Sequence, residues 1–141
     1  MRTLLCGILV LMMVPTIMSD SENPDPYWTS LVKTELDLRV SGPVVYTSFT
    51  QKNLPKLGDC AAIALLKLLD TNKTVPSNIV TASLSIIRDA FSRPELIAVE
   101  SDREPKVTIC LLALFDRSVS DKQTLQDIEK TRQLIQQQAR K

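Results

Sequence analysis

Apolar residues recur along most of this chain at the three-and-four spacing of an amphipathic helix. The first such stretch opens at Asp25-Pro26, where aspartate suits the capping position and proline the first helical one. Trp28, Leu31, Val32 and Leu36 then fall on one face. The alternation of Leu36, Leu38 and Val40 fits a strand equally well, Ser41-Gly42-Pro43 ends either element, and residues 44–49 (VVYTSF) have strand composition. Two short extended pieces joined there would make a hairpin that is marginal by itself. Residues 36–49 are therefore open between helix, hairpin and coil.

The pattern sharpens from Asn53, a cap candidate, with Pro55 in the first turn followed by LGDCAAIALLKLLD. Apolar residues lie all round this second helix, which predicts a central position with Lys67 reaching outward. A third helix opens near Thr74-Val75-Pro76 and stops before Pro94, its stripe built from Val80, Leu84, Ile87 and Phe91 and widened by Ile79, Ile86 and Ala90. After a connector over 96–101, Asp102 can cap a fourth helix with Pro105 in its first turn and the run VTICLLALF behind it. That run is also compatible with a buried strand, but Leu111, Leu112 and Ala113 and the lack of a partner strand favour helix. Ser120 with Gln123 forms a capping box for a last helix that carries few apolar residues, Leu125, Ile128, Leu134 and Ile135. Its Gln136-Gln137-Gln138 end is expected to fray.

These elements predict an all-α fold, a small bundle of four to five helices. A cysteine-bearing central helix is twice followed by an amphipathic one, and the Cys60 to Cys110 offset is near the period of helical repeats, so two stacked helical hairpins are an alternative to an ordinary up-and-down bundle. The bundle explains the pattern without repeat ancestry and is the simpler expectation.

The N-terminus changes the picture by fixing a compartment. Arg2 supplies a positive charge, residues 3–14 (TLLCGILVLMMV) are almost wholly apolar, and Pro15 and small or polar residues follow. That order reads as a signal peptide over 1–19, cleaved near 19–21, and the apolar stretch is shorter than the ~20 residues of a membrane span. The expected mature product is a single helical domain over 20–141, secreted and without a membrane span. Cys6 would leave with the signal, so Cys60 and Cys110 remain, and an oxidising compartment predicts a bridge between them. Asn72-Lys73-Thr74 is an N-glycosylation sequon in a polar stretch between two helices.

Composition narrows the function. Lys+Arg 17 against Asp+Glu 16, with few aromatics, describes a poor nucleic-acid binder. The chain has no histidine, which excludes Ser–His and Cys–His nucleophile pairs, His-ligated zinc and the commonest general base. Two separated cysteines cannot form a CxxC redox centre or a thiolate metal cage, and three glycines supply no phosphate-binding loop. Carboxylate pairs such as Glu100 and Asp102, or Asp102 and Glu104, sit among mixed charges beside a helix start, where solvated capping is their natural role. No catalytic, cofactor-binding or metal-ligating residue is therefore expected. What remains is an extracellular protein–protein interaction or signalling module, with Tyr27 and Trp28 as the interaction anchors by residue type. A carrier of a small apolar ligand or lipid is the alternative, motivated by the apolar excess of the two central helices.

Overall fold

Among the described residues, the stretches whose apolar side chains repeat at helical spacing are helical. The computed structural model describes residues 26–42, 48–70, 72–97 and 103–139. The predicted signal segment 1–19 and the capping candidates Asp25 and Asp102 lie outside the described residues, as do Glu100 and residues 43–47. Among those described there are six α-helices and no strand: α1 Pro26–Ser41, α2 Ser48–Asn53, α3 Asp59–Leu68, α4 Ser77–Ala90, α5 Lys106–Ser118 and α6 Lys122–Ala139. Short 3-10 turns at Leu54–Lys56 and Pro94–Leu96 complete the elements.

Helix α1 runs through the Leu36, Leu38, Val40 alternation, so the strand reading is overturned there. Leu36 is buried and Leu38 exposed, as a period of 3.6 places them. The expected count of four to five helices becomes six because Ser48–Asn53, partly inside the segment of strand composition, forms a short helix of its own. The stretch from Asn53 onward is also divided. Gly58 adopts φ 53°, a left-handed value that favours glycine, and α3 begins only after it.

The helices form two antiparallel hairpins, α3–α4 and α5–α6. The amide of Gly58 donates to the carbonyl of Ala90 at 3.1 Å, joining the start of α3 to the end of α4. The hairpins lie against each other with α3 beside α5 and α4 beside α6, while α1 packs on α3 and α4. Bonds from α3 to the start of α5, and from α4 to the first half of α6, put like ends together.

One continuous core fills the contacts. Val32, Leu65, Val80, Leu84, Ile87, Leu111, Leu112, Phe115, Ile128 and Ile135 are wholly removed from solvent, and each large apolar side chain so placed stabilises the fold by roughly 1.5–3 kcal/mol. The predicted α4 stripe of Val80, Leu84, Ile87 and Phe91 is buried throughout. Helix α6 extends its sparse apolar stripe with threonines: Thr124, Ile128, Thr131 and Ile135 recur at helical spacing and all are buried. The helix continues through its three glutamines to Ala139, although fraying was expected there.

The cap of α6 lies one residue beyond the predicted box. Asp121 Oδ2 accepts from the Thr124 amide at 2.9 Å and from its hydroxyl at 2.5 Å, in place of Ser120 with Gln123. The Thr124 hydroxyl and amide hold the Asp121 carboxyl below its ordinary value of 3.8, with Ser77 helping. A carboxyl depressed by folding stabilises the native state above its unfolded value, and this contribution is lost as pH falls from about 3.8 through the lower folded value. Thr124→Ala is expected to move the Asp121 titration upward in a carboxyl-carbon NMR experiment. An unchanged midpoint would remove the Thr124 hydroxyl as a cause.

Candidate functional site

Asp59 begins α3 and is buried, although nothing in the local sequence marks it as more than a first-turn acid. Its Oδ1 accepts from the Thr108 amide at 2.8 Å and the Thr108 hydroxyl at 2.7 Å, and its Oδ2 accepts from the Val107 amide at 2.9 Å. The orphan amides at the start of α5 are thus satisfied by a carboxylate on a neighbouring helix. Pro105 occupies the capping position of α5 itself, without a side-chain cap bond. One acid complements the positive ends of two helices and sets their relative height.

The Cys60–Cys110 bridge is not formed in the structure, contrary to expectation. Asp59 and Thr108 occupy facing positions on α3 and α5. Both cysteine side chains are half-buried.

A second buried polar group lies where α1, α2 and α4 meet. Glu35 Oε1 accepts from Arg39 Nε at 3.1 Å, and Glu35 Oε2 accepts from the Thr50 hydroxyl at 2.7 Å. Arg39 Nη1 donates to Ser85 Oγ at 2.8 Å and lies 2.9 Å from Asp89 Oδ2. The side chains of Arg39 and Glu35 are only 1% and 4% exposed, whereas Asp89 keeps 26%. A guanidinium between two carboxylates therefore pins the first two helices to α4. The signal was present in the sequence, because Glu35 and Arg39 continue the Trp28, Val32, Leu36 face that the apolar residues define.

On the surface, Arg88 Nη1 donates to Asp127 at 3.0 Å and to the Thr131 hydroxyl at 2.9 Å, tying α4 to α6. Arg132 bonds Asp116 and Glu129. Partial burial opposes the charge on Arg132, and its two carboxylate partners outweigh that, so its pKa is raised.

The predicted anchors are side by side at the start of α1. Tyr27 is 47% exposed and Trp28 half-buried against the core, their rings 4.8 Å apart and edge to face at 66°. Trp28 is thus partly a lid on the core, and Tyr27 stands outside it. Leu38 is 49% exposed and follows Tyr27 by eleven residues, which is within about 20° of three full helical turns, so both belong to one side of α1. Lys33 and Asp37 pair at 3.0 Å on the exposed surface of the same helix.

The remaining candidates are exposed. Asn72 and Thr74 stand in the turn between α3 and α4. A shallow polar groove runs between the starts of α4 and α6, lined by Ser77, Thr81, Asp121 and Lys130 among others. Glu104 is exposed, with Lys106 Nζ 3.9 Å away. Among the described residues no three His, Cys, Asp or Glu side chains are grouped to hold a metal ion, and no helix is long and apolar enough to cross a membrane. Compared with family models, with curated proteins and with solved structures, the chain matches none.

Proposed function

We propose that this protein is a secreted, non-enzymatic helical domain that acts by binding another extracellular protein through α1. The observation that supports this reading is the distribution of apolar side chains. Leu65 of α3 and Leu111, Leu112 and Phe115 of α5 are wholly buried in the shared core, so the apolar excess of the central helices is accounted for by packing. The apolar surface left outside includes Tyr27 and Leu38 on one side of α1, beside the half-buried Trp28. A rigid aromatic next to a partly covered tryptophan is the residue chemistry of an interface anchor.

Export is the first test. The full chain expressed in animal cells is expected in the medium with a new N-terminus between about residue 17 and residue 22, where small residues precede the cut. Retention in membranes with Met1 intact would overturn it. The partner is sought by native mass spectrometry of the secreted protein recovered from extracellular fluid. A stoichiometric protein complex that Tyr27→Ala with Leu38→Asp abolishes, while the helical circular dichroism is unchanged, is the expected result. Co-purification of a small apolar mass instead would replace this reading with that of a carrier.

A further inference from the structure

We propose that Asn72 carries an N-linked glycan, an inference that rests on the export reading for its opportunity and on the local structure for its place. The sequence supplies Asn72, a non-proline Lys73 and the Thr74 hydroxyl, the pattern that the transferring enzyme requires. Many such triplets are buried in elements or crossed by packing. This one is not.

The turn is held from its two ends rather than from its middle. The Asn72 amide donates to Asp70 Oδ1 at 3.1 Å, and the Lys73 amide donates to the Asp70 carbonyl at 3.2 Å. Val75, only 4% exposed, anchors the far side in the core just before α4 begins. Asn72, Lys73 and Thr74 are all exposed between these two anchors. The Asn72 backbone bond leaves its side-chain amide outside the turn's own hydrogen bonding, and a bulky hydrophilic group there displaces no packed atom. In the transfer, Asn72 Nδ2 forms the bond to C1 of the sugar of a lipid-linked oligosaccharyl diphosphate. The C1–oxygen bond to the diphosphate breaks, the lipid diphosphate departs with the electron pair, and Nδ2 gives up one proton.

The position also says which part of the surface the glycan shares. Ser77, five residues on, donates from Oγ to Asp121 Oδ1 at 3.0 Å, so the Asn72 turn and the α5–α6 turn stand at the same end of the paired hairpins. The polar groove lined by Ser77, Thr81, Asp121 and Lys130 opens at that end. The glycan therefore emerges beside the polar groove.

The full chain is expressed in animal cells twice, once with its own N-terminus and once with a foreign signal peptide placed ahead of it. It is then collected from the medium and from the lumenal fraction. Treatment with an N-glycan amidase is expected to shift the lumenal or secreted chain by a single step and to leave aspartate at position 72. Asn72→Gln and Thr74→Ala each abolish the shift, and Thr74→Ser retains it. A foreign-led chain in the lumen or medium whose mobility the amidase leaves unchanged overturns the proposal. If only the foreign-led chain is exported and it carries the glycan, the export reading fails while the assignment of Asn72 stands.

Discussion

Arg39→Met is expected to lower the stability of the fold by about 3–5 kcal/mol, the cost of leaving a buried charge without its partner. The reason lies in the surroundings of Glu35. Its carboxylate is 4% exposed and receives the Arg39 guanidinium and the Thr50 hydroxyl. Removing the guanidinium leaves one neutral donor against a charge that has lost its water. Glu35→Leu alone has a related but smaller effect, because Arg39 still lies beside Asp89, which is partly solvated. The combined Glu35→Leu, Arg39→Met protein is expected to be less destabilised than Arg39→Met alone, since apolar groups of similar size often replace a buried pair at little cost. Urea unfolding of the four proteins, followed by circular dichroism, gives the coupling directly. Additive losses would show that the two charges do not depend on one another.

Asp59→Ala should cost about 2–3 kcal/mol, because charge-assisted bonds are each worth about 1.5–3 kcal/mol and the amides they serve have no substitute nearby. Asp59→Asn keeps one acceptor oxygen and falls between the parent and the alanine protein. The discriminating measurement is amide hydrogen exchange. Val107 and Thr108 should lose protection in Asp59→Ala by a larger factor than the end of α4, because the cap belongs to the start of α5. Uniform loss of protection across the core would mean that Asp59 acts only through global stability. Thr108→Ala removes one of the three bonds and should cost about 1 kcal/mol.

These two sites mark the boundary between what the residues of each element dictate and what their neighbours decide. The helices α1, α4 and α6 and their buried faces follow from periodicity, a local property: a 3.6-residue repeat of apolar side chains has one low-energy way to leave water. Val32, Val80, Leu84, Ile87, Ile128 and Ile135 are buried on that account. The lack of histidine, the scarcity of glycine and the sequon at Asn72 are likewise properties of the chain alone.

Tertiary structure decided the rest, because it depends on residues distant in sequence. The end of α3 that faces α5 is chosen by Asp59 meeting the amides of Val107 and Thr108, a pairing across almost fifty positions that no local cap rule contains. Cys60 and Cys110 stand on the same two helices without a bridge between them, although compartment and count alone favoured one. Glu35 and Arg39 continue the apolar face of α1, but their partners Thr50, Ser85 and Asp89 arrive only when α2 and α4 close over them. Gly58 interrupts a helix-compatible stretch so that its amide can reach Ala90 across the hairpin. Periodicity fixes which side of a helix is buried, but the partner against which it is buried comes from the long-range bonds and packing that only the folded chain brings together.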